Sequence, residues 1–215
     1  TGRVSTFGVR NGRGVDVPDA WADSVSCPHC STPLTYRGLN YSHLGDYLCP
    51  GCGFERMDAD FDVTRFHVDG LEPASFYLPY KGAQVHIKLN LPGLFNVYNA
   101  LAAATAAVAL DVPVEAVQLG LEKFEPAFGR SEQIWVDGVE MVLLLIKNPA
   151  GANEVMRSLR QETKPTDYLI VLNDRPADGQ DVSWIWDIDF DELCAERILV
   201  SGDRAEDLAL RLKYA

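Results

Sequence analysis

Cys27-Pro28-His29-Cys30 and Cys49-Pro50-Gly51-Cys52 are two Cys-x-x-Cys pairs separated by 18 residues. Cysteines two residues apart sit on one tight turn with both sulfurs facing one point. A second such turn completes a tetrahedron at about 2.3 Å per metal bond. Four thiolates leave no open position for water, which is the arrangement of a structural zinc rather than a hydrolytic one. The spacing predicts one zinc on Cys27, Cys30, Cys49 and Cys52, in a ribbon over about residues 25–55. His29 and His43 are expected at the surface, and Tyr36, Tyr41 and Tyr47 in the packing of the hairpin between the knuckles.

A second constellation is acidic. Asp174, Asp178, Asp181, Asp187 and Asp189 crowd one stretch together with Trp184 and Trp186. Acidic loops are commonly no more than solvated. Tryptophan beside charge suits a partner surface instead, because interface energy concentrates where large aromatic faces are buried.

These groups must be positioned by ordinary globular elements. Residues 4–9 and 61–89 are rich in β-branched and aromatic types broken by Asp-Gly and Lys-Gly turns, the pattern of strands and hairpins that the ribbon interrupts. An alanine-dense helix is expected over 94–110, and Pro113 opens a second helix running towards Phe124. The run from Glu125 to Gly129 breaks it, which puts a domain boundary near Arg130. Beyond it, strands are expected at 133–136 and 140–146, a helix at 150–160 and a strand at 168–172. A helix near Phe190, a strand at 198–200 and a helix at 205–212 follow. That alternation implies a parallel α/β sheet with functional loops at strand ends.

Composition narrows the class. Of 215 residues, 47% are hydrophobic and 23% charged, as in soluble globular domains, and no stretch reaches the roughly 20 apolar residues of a membrane span. A net charge of −12 disfavours nucleic acid as a partner, since a phosphate backbone is bound by lysines and arginines that release its counterions. Five cysteines, four of them in metal-type pairs, fit a reducing cytoplasm better than a disulfide framework. The start at Thr1 and the uncapped end at Lys213-Tyr214-Ala215 read as a piece cut from something longer.

The run Pro92-Gly93-Leu94-Phe95-Asn96-Val97-Tyr98-Asn99, followed by Gly129-Arg130-Ser131-Glu132, resembles the junction between the middle and C-terminal domains of Mur ligases. With the ribbon, the segment from Leu145 to Glu154 and the segment from Asn173 to Asp187, the chain is similar to MurT, the ligase subunits of lipid II isoglutaminyl synthase. The resemblance implies an α/β chain in two parts. Residues 1–130 would be a portion of a Mur ligase-like central ATP-binding domain with the inserted four-cysteine zinc ribbon, and 131–215 a Rossmann-like C-terminal α/β domain. The implied reaction is ATP-dependent amidation of the D-glutamate α-carboxyl of the lipid II stem peptide. Magnesium comes with ATP, and ammonia comes from a GatD-like glutaminase partner. In such ligases a Gly-rich loop ending in Gly-Lys-Thr cradles the phosphates. The 215 residues hold no such loop, so the segment alone is expected to be inactive.

The resemblance further implies that Asn99 contacts adenine, with Asn96 on the same helix face, and that Arg130 reaches the nucleotide from the hinge. A carboxamide can pair with adenine's exocyclic amine and a ring nitrogen, and a guanidinium suits phosphate. Helix-lining asparagines and a solvated hinge arginine are the plainer alternatives. Where amino-acid-adding relatives carry an Asp and a His before a proline, this chain has Leu144 and Lys147, so Lys147 and Asn148 could meet nucleotide or substrate. In the resembling family the acidic loop meets the glutaminase, and one carboxylate orients that enzyme's histidine. Asp187 and Asp181 are the two candidates. A folylpolyglutamate synthase-like ligase and a non-catalytic zinc-ribbon module are the alternative functions.

Overall fold

In the computed structural model, residues 4–10, 25–125, 130–176, 179–191 and 193–215 are described, and they form two compact units, Thr1–Ser131 and Glu132–Ala215. In the first unit a period of two decides which side chains go inside. Strands β1 (Phe7–Val9), β2 (Thr35–Tyr41), β3 (Leu44–Leu48), β4 (Phe61–Val63), β5 (Phe66–His67), β6 (Ser75–Tyr80) and β7 (Ala83–Lys88) occur in that order. Phe76 and Leu78 on β6 and Ile87 on β7 are fully buried, while Tyr77 and His86, opposite each other in the ladder, stack on the outer face. Lys81 and Gly82 both take positive φ, as the two-residue turn joining such strands requires. Strand β1 pairs in parallel with β4, Gly8 opposite Asp62.

Helix α1 (Leu94–Ala109) covers this core because Leu94, Val97, Leu101 and Ala104 recur at helical spacing, and its alanines let the strands come close. Helix α2 (Val114–Glu122) follows Pro113 and adds Val114 and Val117 to the same core.

Beside the core, Arg56 and Arg10 converge on the Asp62 carboxylate, Arg56 Nη2 at 2.6 Å and Arg10 Nε at 2.7 Å. Burial alone would raise the pKa of Asp62, but the two guanidiniums outweigh it and hold the acid below the usual carboxylate range. A depressed folded-state pKa stabilises above the unfolded value of about 4, and that contribution is lost as pH falls through the folded value. Asp62→Asn is therefore expected to destabilise the chain by about 1–3 kcal/mol at pH 7, leaving the part-buried Arg56 short of its carboxylate while Arg10 keeps Asp58. In denaturant titrations the gap between wild type and variant should shrink below about pH 4. A gap that stays constant to pH 3 refutes the assignment.

Strand β8 (Arg130–Val136) carries the chain from the first unit into the second and forms a hairpin with β9 (Val139–Leu144), turned by Asp137 and Gly138 at positive φ. It continues through α3 (Pro149–Leu159), β10 (Thr166–Val171), β11 (Ala195–Ser201) and α4 (Ala205–Lys213). Strands β10 and β11 are parallel, with Leu169 opposite Leu199. Those two leucines are more than half exposed, so among the described residues one sheet face has no covering layer.

The helix expected near Phe190 is not there. One turn of 3-10 helix, Ser183–Asp187, takes its place, and the chain then runs extended. Asn153 on α3 holds it so, donating to the Asp187 carbonyl at 2.9 Å and accepting from the Asp189 N–H at 2.7 Å. Arg160 donates to the carbonyls of Asp189 and Asp191. These backbone groups find partners on α3 instead of within a helix, which lets Ile185, Ile188 and Phe190 bury their side chains.

Candidate functional site

The two knuckles have the same local build. Cys27 N–H donates to the Thr32 carbonyl and accepts at its own carbonyl from Ser31; Cys49 N–H donates to the Phe54 carbonyl and accepts from Gly53. Ser31 and Gly53, at equivalent places, both take positive φ to close the turn. Pairing of Thr35 with Leu48 at the base of the β2–β3 hairpin then sets the two turns side by side.

Sγ of Cys27 lies 3.6 Å from Sγ of Cys52, and Sγ of Cys30 lies 3.5 Å from that of Cys49. All four sulfurs fall within 4.8 Å of one another. A tetrahedral ion with bonds of about 2.3 Å needs sulfurs about 3.8 Å apart, so the spacing fits four-thiolate zinc. Cys27 and Cys49 are buried, and Cys30 and Cys52 face outward. The Thr32 hydroxyl and N–H, with the Cys49 thiol, hold the Cys30 thiol down at about 6. Cys52 is pushed up to about 12: the Phe54 N–H favours its thiolate, but desolvation and the three neighbouring sulfurs outweigh that bond. Crowded thiols cannot all ionise beside one another, and a divalent cation at their centre reverses that preference. His29 is exposed with its ring 4.5 Å from that of Phe54, and neither His29 nor His43 joins the sulfur cluster.

The proposed nucleotide residues differ in how free they are. Asn96 is buried and donates from Nδ2 to the Pro92 carbonyl at 2.7 Å, so its amide nitrogen fastens the turn that leads into α1. Asn99, three residues later, is exposed and its carboxamide has no partner among the described residues. Arg130 opens β8, and its side chain lies outside the described residues. Lys147 is exposed between β9 and α3. Asn148 is the N-cap of α3, its Oδ1 accepting from the Gly151 N–H at 2.8 Å with Pro149 following it.

In the acidic stretch, Asp174 pairs with Arg204 and Asp189 with Arg160, while Asp178 lies outside the described residues. Asp181 accepts from the Ser183 N–H at 2.8 Å, and that bond lowers its pKa. The Asp187 carboxylate, exposed at the end of the 3-10 turn, has no partner among the described residues. Trp186 is 50% exposed, with the Tyr214 ring centroid 6.3 Å away and the Arg211 guanidinium 5.8 Å from its own centroid. Beside it a hollow of about 310 Å³ is lined by Asp181, Ser183, Trp186, Arg204 and Asp207. Sequence reasoning missed Asn153 and Arg160, which fix this loop. The available signal was a polar residue, Asn153, between the buried Ala152 and Val155 on the apolar face of α3.

Residues 145–215 match the family described as MurT ligase C-terminal. The chain is 38% identical over 197 residues to the lipid II isoglutaminyl synthase (glutamine-hydrolyzing) subunit MurT of Staphylococcus aureus, covering 90% of the chain and 43% of that protein. It is 33% identical over 204 residues to the same subunit of Streptococcus pneumoniae, covering 89% of the chain and 42% of that protein. The chain thus spans about two-fifths of the length of these curated relatives. Its fold resembles a pseudomurein peptide ligase type C from Methanothermus fervidus, with a TM-score of 0.65, 21% identity and coverage of 97% of this chain and 52% of the other. A Mur ligase-like α/β fold and extended similarity to both MurT subunits agree: residues 145–215 match the MurT ligase C-terminal family, and the chain is similar to MurT subunits along nine-tenths of its length.

Proposed function

We propose that this chain is part of a ligase subunit that amidates the D-glutamate α-carboxyl of the lipid II stem peptide in the cytoplasm. The reading is carried by one observation, 33–38% identity to two MurT subunits along nine-tenths of the chain, through the ribbon and the tryptophan loop alike. Among the described residues no helix is long and apolar enough to cross a membrane. ATP, with Mg²⁺, supplies activation of the carboxyl as an acyl phosphate, from which ammonia displaces phosphate to leave the amide. For adenine this chain offers Asn99, whose carboxamide is unengaged among the described residues; Arg130 is assigned to the phosphates. Asn96 supports the turn into α1 rather than touching nucleotide, and Asn148 caps α3, presenting Lys147 beside it. Zinc is proposed on Cys27, Cys30, Cys49 and Cys52 as a structural ion.

A GatD-like glutaminase is the proposed ammonia source. Asp187 is favoured over Asp181 as the carboxylate that orients the glutaminase histidine, because Asp181 is already bonded to Ser183. The test is the full-length protein, mixed with its glutaminase, glutamine, ATP and lipid II, with the product read by mass spectrometry. Conversion of the stem-peptide carboxyl to the amide is expected. Addition of an amino acid instead, or no ATP-dependent product, overturns the reading.

A further inference from the structure

The ribbon reaches beyond its own metal. Strand β2 starts next to the knuckles at Thr35, and Asn40 lies five residues on, about 17 Å along the strand at some 3.3 Å per residue. There Asn40, only 4% exposed, donates from Nδ2 to the Val9 carbonyl at 2.7 Å and to the Tyr98 hydroxyl at 3.3 Å. Arg56 leaves the second knuckle and returns to the same place. It donates to Asp62 at 2.6 Å and lies over Gly8, where a Cβ would come within 2.5 Å of Nη2. Both ends of the insertion therefore close on β1, Asn40 at Val9 and Arg56 at Gly8, and Asn40 carries the contact on to Tyr98 of α1, the residue immediately before the exposed Asn99.

We infer that Tyr98 latches the ribbon to α1, so that the metal-bound ribbon fixes the helix that presents Asn99. A two-stranded hairpin is marginal in water, and β2–β3 depends on the metal for its order. When the hairpin melts, Asn40 is withdrawn and the Tyr98 hydroxyl is left part-buried with one donor fewer, which loosens the first half of α1. Tyr98 is a positioning residue. The inference rests on the proposed roles of zinc and Asn99, and its first readout contains neither nucleotide nor product.

Hydrogen exchange of the full-length protein, wild type and Tyr98→Phe, before and after a chelator, tests the latch. In wild type, chelation should raise exchange several-fold in residues 35–41 and 94–101 together. In metal-bound Tyr98→Phe, 94–101 should already exchange fast while 35–41 stay protected. In the full-length ligase the same variant should raise KM for ATP and leave kcat unchanged. A ribbon that opens with no change in α1, or a variant that exchanges as wild type does, overturns the latch. Faster exchange in α1 with an unchanged KM overturns the positioning of Asn99, and a chain that carries no zinc overturns the coupling to metal.

Discussion

Cys49→Ser is expected to empty the ribbon of zinc and unfold it, loosening the first half of α1, while the main core of the first unit stays folded. The Cys49 sulfur is one of four within 4.8 Å of one another, and its residue also closes a knuckle through the Phe54 carbonyl and the Gly53 N–H. A serine hydroxyl does not ionise near neutral pH and binds zinc poorly, so the shell drops to three thiolates. Zinc binding in isolated fingers is worth on the order of 10 kcal/mol, far more than a short hairpin can replace. The main core runs through Phe76, Leu78, Ile87, Leu101 and Ala104 and contains no residue of the ribbon. Metal analysis should give one zinc per chain for wild type and none for the variant. Hydrogen exchange should rise in residues 25–55 and, through the Asn40–Tyr98 contact, in 94–101, while the β6–β7 hairpin stays protected. Cys194→Ser serves as the control, since Cys194 lies outside the sulfur cluster. A Cys49→Ser chain that retains its zinc and its protection defeats the proposal.

What could be read from sequence follows the range of the forces involved. The four cysteines declare themselves because metal geometry restricts their spacing, and the turns at Lys81-Gly82 and Asp137-Gly138 because only certain residues accept positive φ. The alanine-dense α1 carries its apolar face in its own period. Where the deciding contact comes from far along the chain, local pattern misleads. The segment around Phe190 looks helical by composition, yet Asn153, 34 and 36 residues away from its partners, satisfies the backbone in an extended form. The Asn40–Tyr98 contact spans 58 residues and leaves no local trace at all.

The same distinction bears on the candidate ligands. Asn96 and Asn99 look equivalent as two asparagines three residues apart, but one amide is occupied by the Pro92 carbonyl and the other has no partner among the described residues. Asn148, read as a possible ligand, is committed to the α3 N-terminus by its bond to Gly151. A motif gives residue type and spacing. Which hydrogen bonds are already taken, and so which groups can meet a ligand, is settled only by the folded chain.

Asp187→Asn in the full-length complex is expected to abolish most glutamine-driven amidation while leaving ammonia-driven amidation intact. A carboxylate bonded to imidazole fixes the tautomer and stabilises the charged ring, and an amide does neither, so a loss on the order of 10³- to 10⁴-fold is expected in glutamine hydrolysis. Asp187 is suited to this because its carboxylate is exposed and without a partner among the described residues, while the Asn153 bond to its carbonyl holds the backbone in place. Asp181→Asn should behave differently. An asparagine oxygen can still accept from the Ser183 N–H, so the 3-10 turn survives and hydrolysis should change little. Trp186→Ala should act on assembly: truncating an aromatic anchor costs about 2 kcal/mol or more, roughly a 30-fold weaker complex. Loss of its contacts with Arg211 and Tyr214 adds to that cost, and Arg211→Ala apportions it. Glutaminase rate, ammonia-driven ligation and complex affinity, measured side by side on the three loop variants, separate these roles. Equal loss of both amidation activities in Asp187→Asn would mean that the residue serves the ligase fold. Selective loss in Asp181→Asn alone would transfer the orienting role to Asp181, whose carboxylate would then have to leave Ser183 when the partner docks.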